Sequence, residues 1–142
     1  MNVQEQIDSH INSLAEPKRS EIQTLHELIL RISPASRLWF FDGTNEEGKT
    51  ITNPTIGYGQ QTMHYANGKT KVFFRVGILA NKTGISVHIL GIEDKTFLAQ
   101  TFGTKLGKAS VTGYCIKFNT LNDIHMDTLE AAIRYGLSLQ DV

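Results

Sequence analysis

The chain has 142 residues, and its 14 Lys and Arg are balanced by 14 Asp and Glu, a formal net charge of +0 with histidine neutral. This length specifies one domain, residues 1–142, which buries roughly two thirds of the surface its unfolded form exposes and needs no covalent staples. The charge balance excludes a basic nucleic-acid footprint over the whole domain and leaves room only for a local patch. No stretch approaches the roughly 18 apolar residues of a membrane span, and the N-terminal residues lack the positive start and apolar run of a secretory signal. The single cysteine, Cys115, has no internal disulfide partner and fits a reducing, cytoplasmic setting.

In chain order, Val3, Ile7, Ile11 and Leu14 recur at helical spacing and form one apolar stripe. Pro17 suits the first turn of a second helix, where its missing N–H is no loss. Ile22, Leu25, Leu28, Ile29 and Ile32 make a wider stripe, and Ser33-Pro34 ends it, because the residue before proline is pushed out of helical geometry. The pattern then changes. Leu38–Phe41 reads as a short aromatic strand followed by a polar turn. Residues 60–65 lead into Asn67-Gly68, a strong hairpin signal, with a return strand over Thr70–Leu79. That strand places Val72, Phe74, Val76 and Ile78 on one face, and Phe73 and Arg75 on the other. A turn at residues 81–84 precedes Ile85–Leu90, which alternates apolar and polar residues. A short helix over Lys95–Thr101, a glycine-bounded loop and a strand over Gly113–Phe118 follow. Asp127 and Glu130 resemble a capping box at the start of a final helix lined by Leu129, Ala132, Ile133, Gly136 and Leu137. Consecutive strands joined by tight turns leave no room for parallel crossovers. The expected fold class is α+β: an antiparallel sheet meander packed in two layers against an N-terminal helix pair and a C-terminal helix.

Residues 57–69, GYGQQTMHYANGK, pose the main chemical choice, a phosphate loop or a turn between strands. Gly57-Tyr58-Gly59 begins like a dinucleotide fingerprint, but Thr62 stands where its last glycine belongs. It also opens a strand, whereas pyrophosphate binding needs a glycine turn that opens a helix. Gly103–Ser110 imitates a P-loop with one residue too few between its glycines, and Ala109 stands where a hydroxyl would hold the metal. His10, His26, His64, His88 and His125 show no ligand spacing with one another, so no metal site and no cofactor are expected. Cys115 lies between Tyr114 and Ile116, as a buried and inert core thiol would. No serine sits in a nucleophile elbow, so no catalytic residue is named. Trp39, Phe40, Phe41, Phe73 and Phe74 are expected to pack between sheet and helices; a base-stacking platform would need interleaved cations, for which Arg37, Lys71 and Arg75 lie nearby.

These residues together resemble the YdhG-like family of small bacterial domains of unknown function (domain of unknown function 1801). The resemblance runs from the helix pair and Trp39 through Ile56–Gly59, His64–Lys69, Val76-Gly77 and Lys82. It continues through Leu106–Lys108, the Cys115 strand and Leu121–Ile124. It implies an antiparallel sheet covered by terminal helices, and some relatives are described as frataxin-like, with a role in intracellular iron delivery. Thr70, Lys71 and Val72 stand where relatives often carry acidic residues, Gly113 stands where they tend to carry basic ones, and the first helix offers only Glu5 and Asp8 as hard-cation oxygens. The expectation is therefore a non-enzymatic domain that binds a small anionic ligand or a protein partner on an open sheet face around Tyr58, His64, Tyr65, Lys82, His88 and Lys108. The alternatives are an iron-binding accessory protein and a small enzyme using His64 or His88 as acid and base. Neither a membrane nor a nucleic acid is an expected partner, and a homodimer that covers the open face with a second subunit is compatible with the pattern.

Overall fold

The structure, a computed structural model, describes residues 1–139. Helix α1 (Val3–Ser13) is capped by Asn2, whose side chain accepts the Glu5 N–H at 2.8 Å. Helix α2 (Lys18–Ile32) begins directly after Pro17 and ends at Ser33, as the proline signals indicate. The strands are β1 (Leu38–Phe41), β2 (Thr55–Tyr58), β3 (Gln61–His64), β4 (Thr70–Phe73), β5 (Val76–Ala80), β6 (Ile85–Ile89), β7 (Ser110–Val111) and β8 (Cys115–Phe118). The short helix expected over Lys95–Thr101 is present but shifted towards the C-terminus, with helical geometry from Phe97 and a π-type turn over Ala99–Gly103. Helix α3 (Met126–Ser138) closes the described chain. Its cap is His125, whose carbonyl accepts from Thr128 and Leu129, so Asp127 and Glu130 do not form a capping box. Asp127 lies one residue inside the helix, where its charge favours the positive end of the dipole, and Glu130 accepts from Arg134 Nε at 2.8 Å.

Six strands form one antiparallel sheet in the order β1-β2-β5-β6-β8-β7, and β3 pairs with β4 separately. Cross-strand partners share a face. Ile56 with Ile78, Tyr58 with Val76, Ile78 with Val87 and Val87 with Ile116 therefore make one apolar surface. All three helices cover this side: α1 lies against β1, and α2 and α3 against β5. Ile7, Ile22, Leu25, Ile29, Leu129 and Ile133 complete the core with it. Helix α3 reaches the sheet at Gly136, where a Cβ would stand 2.7 Å from Ile89 and 3.0 Å from Val76. No helix among the described residues is long and apolar enough to cross a membrane.

The return strand over Thr70–Leu79 is two strands. The hairpin doubles back around Asn67-Gly68, but its loop is Ala66-Asn67-Gly68, closed by the Tyr65 N–H on the Lys69 carbonyl at 2.9 Å, with Gly68 in the left-handed region. Nearer the sheet both arms bend together, at Gly59 (φ 77°) and between Phe73 and Val76. The Arg75 N–H still donates to the Tyr58 carbonyl across the bend, at 3.0 Å. The bend has a packing cause. Gly57 and Gly77 face each other on β2 and β5, and the Phe74 ring fills the space where their side chains would stand, with a Cβ on either glycine coming within 2.8 Å of that ring. Phe74 is 4% exposed. Trp39, Phe41 and Phe73 gather around it on the side of the sheet away from the helices. Of the aromatic run only Phe40 packs with the helix-side core, so most of this cluster is a second, smaller core between sheet and hairpin rather than between sheet and helices. Gly57→Ala and Gly77→Ala are each expected to destabilise the protein by about 1–3 kcal/mol through overpacking against Phe74, measured as a fall in the denaturant midpoint. An unchanged midpoint would show that Phe74 does not depend on that space.

Candidate functional site

The six residues expected on one open face do not converge. Tyr58 is 0% exposed because it stands on the helix-covered side of β2, opposite Val76, and its hydroxyl meets His26 Nδ1 of α2 at 2.6 Å. Burial raises its pKa well above the ordinary tyrosine range and lowers that of His26. This pair is a hydrogen bond inside the core, out of reach of a ligand. His64 and Tyr65 are exposed near the tip of the β3–β4 hairpin. His88 lies half-buried on the outer, helix-free face of β6, perpendicular to the Tyr114 ring with centroids 5.4 Å apart. Lys82 and Lys108 are exposed and belong to a different region, beyond the ends of β6 and β8.

There the structure assembles a cleft of about 480 Å³ lined by Thr83, Lys108, Ser110, Lys117, Phe118, Asn119 and Asp123. Each wall has a local origin. The turn at residues 81–84 is closed by the Asn81 N–H on the Gly84 carbonyl at 2.9 Å. Gly84 is pressed so close to β8 that a Cβ would stand 2.2 Å from the Phe118 carbonyl oxygen, which brings Thr83 beside the strand. Lys117 points to the outer face because it is paired with Ser86 and Ser110 in the ladder. Lys108 is anchored through its own N–H to the Asp123 carbonyl at 3.0 Å. Behind the turn, Lys18 Nζ donates to the carbonyls of Asn81 and Lys82. Ammonium groups and hydroxyls thus dominate the lining, with one carboxylate.

A second cleft, of about 410 Å³, lies between α2 and the turn at Leu121–Asp123, lined by Glu16, Ser20, Glu21, Thr24, Thr120 and Asn122 among others. Glu21 Oε2 accepts the Leu121 N–H at 2.6 Å and ties these elements together. Two carboxylates make this cleft repel an anion, and they distinguish it from the first.

Cys115 is half-buried on the outer face, opposite His88 in the ladder, rather than sealed in the core. Burial raises its pKa, so the thiol rather than the thiolate prevails. Burial also lowers the pKa of His88, which leaves its ring neutral near pH 7. Among the described residues no three His, Cys, Asp or Glu side chains come together to hold a metal ion. Lys117 was the main residue missed in the sequence; its signal was the single polar position between Ile116 and Phe118. No protein-family model, curated protein or solved structure matches the chain.

The buried His26–Tyr58 pair sets a pH dependence. His26, lowered chiefly by desolvation and partly offset by Asp8 and Glu27, is neutral in the folded state. The unfolded chain therefore binds more protons at mildly acid pH, and the stability due to a neutral His26 is present above about pH 6.5 and lost as pH falls below it. His10 and His88 are shifted in the same direction. Unfolding midpoints are expected to fall between pH 7.5 and 5.5, and an NMR titration should place His26 below the free-histidine value. Tyr58→Phe removes the hydroxyl from the buried ring nitrogen and should cost about 1–3 kcal/mol.

Proposed function

We propose that this protein is a non-enzymatic binding domain whose lysine-lined cleft takes a small anionic ligand. The observation that carries this reading is the placing of Lys108 and Lys117 around one cleft of about 480 Å³ together with the hydrogen-bonding groups of Thr83, Ser110 and Asn119. A volume of that size suits a small molecule. Two ammonium groups near one anion each contribute about 1 kcal/mol at 4 Å even with water-like screening, and more where the cleft excludes water. Lys82, next to Thr83 in the turn, adds long-range attraction. The iron-delivery and histidine acid–base readings draw no comparable support: His64 stands exposed on the hairpin, and His88 faces Tyr114.

Inorganic phosphate and pyrophosphate are the probes. Calorimetric titration is expected to show saturable binding that weakens with salt, and each of Lys108→Gln and Lys117→Gln should reduce affinity at least about fivefold. Glu16→Gln, in the carboxylate-lined cleft, should leave it unchanged. Absence of saturable binding by the wild-type chain, or equal affinity in the Lys108→Gln/Lys117→Gln double variant, would overturn the assignment.

A further inference from the structure

Resting on the anion-binding reading above, we propose that the ligand is a free nucleoside monophosphate, with its phosphate between Lys108 and Lys117 and its base against Tyr114. Lys117 is the cleft's last residue towards the N-terminal end of β8, and beyond it the outer face of the strand continues. Along β8 on the same outer face the next position is Cys115, about 7 Å away at strand spacing, and Tyr114 follows it. The floor of this path is made of small side chains, Ser86 paired with Lys117 and Cys115 paired with His88. Tyr114 stands at its far end, 51% exposed, an unusual position for a large ring beside a sheet whose other apolar side chains are mostly covered. The perpendicular contact with His88 holds that ring in place while half of the residue stays in solvent.

Charge follows the same axis. None of the six sheet strands holds an Asp or Glu, although the chain has 14 of them. Lys108 and Lys117 line the cleft end, while Lys95 packs against Gly113 beside Tyr114. At the Tyr114 end His88 is kept neutral by burial and offers a ring edge rather than a second anion site. An anion at one end, small residues in the middle and an exposed aromatic ring at the other fit a molecule whose phosphate and planar ring are separated by one sugar. A bare phosphate would leave Tyr114 without a role. The aromatic cluster around Trp39 lies sideways across the sheet, with β6, β5 and β2 between it and β8, and the Arg37 guanidinium already covers Trp39 at 3.8 Å.

The test compares AMP with ribose 5-phosphate, which carries the same anion and sugar without the ring, by calorimetry on the full chain. AMP is expected to bind about tenfold more tightly, the usual worth of one stacked base. Tyr114→Ala should lower AMP affinity to that of ribose 5-phosphate and leave ribose 5-phosphate unchanged, whereas Tyr114→Phe should retain the preference. Lys117→Gln should weaken both ligands. Equal binding of AMP and ribose 5-phosphate by the wild-type chain would overturn the nucleotide assignment and leave the anion site standing. So would a loss in Tyr114→Ala that is the same for both. Binding of neither ligand would overturn the nucleotide assignment, and it would overturn the anion site as well only if inorganic phosphate and pyrophosphate also failed to bind. Tighter binding of a 5′-phosphorylated tetranucleotide than of AMP would overturn the assignment to a free nucleotide.

Discussion

Two glycines opposite each other, Gly57 and Gly77, decide the shape of the helix-free side. They belong to one cross-strand row on the outer face, Trp39–Gly57–Gly77–His88–Cys115. Without a Cβ at the centre of that row, the Phe74 ring drops onto the backbone, and both arms of the hairpin must bend to follow it. The bend moves Phe73 over Trp39 and Phe41. It also leaves the outer face of β6 and β8, with the buried Ser86 and the half-buried His88 and Cys115, outside the aromatic cluster and beside the lysine cleft. Packing on one half of the sheet thus determines where the other half stays accessible.

The two faces divide the work between stability and recognition. On the helix side the apolar ladder is continuous, and its polar interruption, Tyr58, is satisfied by His26. A hydroxyl and an imidazole in a dry core are costly unless paired, so this contact also fixes α2 against β2. On the outer side the strands carry Ser86, His88, Cys115 and Lys117, side chains with little to gain from burial. Segments between the strands supply most of the cleft, with Thr83, Lys108 and Asn119 outside the regular elements and Asp123 at the end of the short turn Leu121–Asp123. Rigid strands that position variable loops are a common basis for binding sites.

The elements were legible where a single periodicity spoke. The stripes of α1 and α2, the stop at Pro34 and the doubling back around Asn67-Gly68 all follow from local rules. What was not legible depends on partners distant in sequence. In Leu38–Phe41 every residue is apolar, so alternation alone does not say which two face the helices. Thr70–Leu79 keeps Val72, Phe74, Val76 and Ile78 in step on one face, yet it splits because Phe74 responds to glycines on neighbouring strands. Tyr58 looked like an open-face residue on account of its hydroxyl, whose partner is in another element. Of the proposed site, Lys108 was legible from its glycine-rich loop. Lys117 was not, because one lysine in a strand is the ordinary mark of a solvent-facing position.

Trp39 is the chain's one tryptophan, and its indole N–H donates to the Gly59 carbonyl at 2.8 Å, at the point where the hairpin turns away from the sheet. The molecule therefore carries a built-in fluorophore at its hinge. Its emission colour and anisotropy register whether the β3–β4 arm is docked. Far-ultraviolet dichroism, dominated by α1, α2 and α3, registers the rest of the fold. The arm's undocking is thereby separable by spectroscopy from the melting of the helical layer.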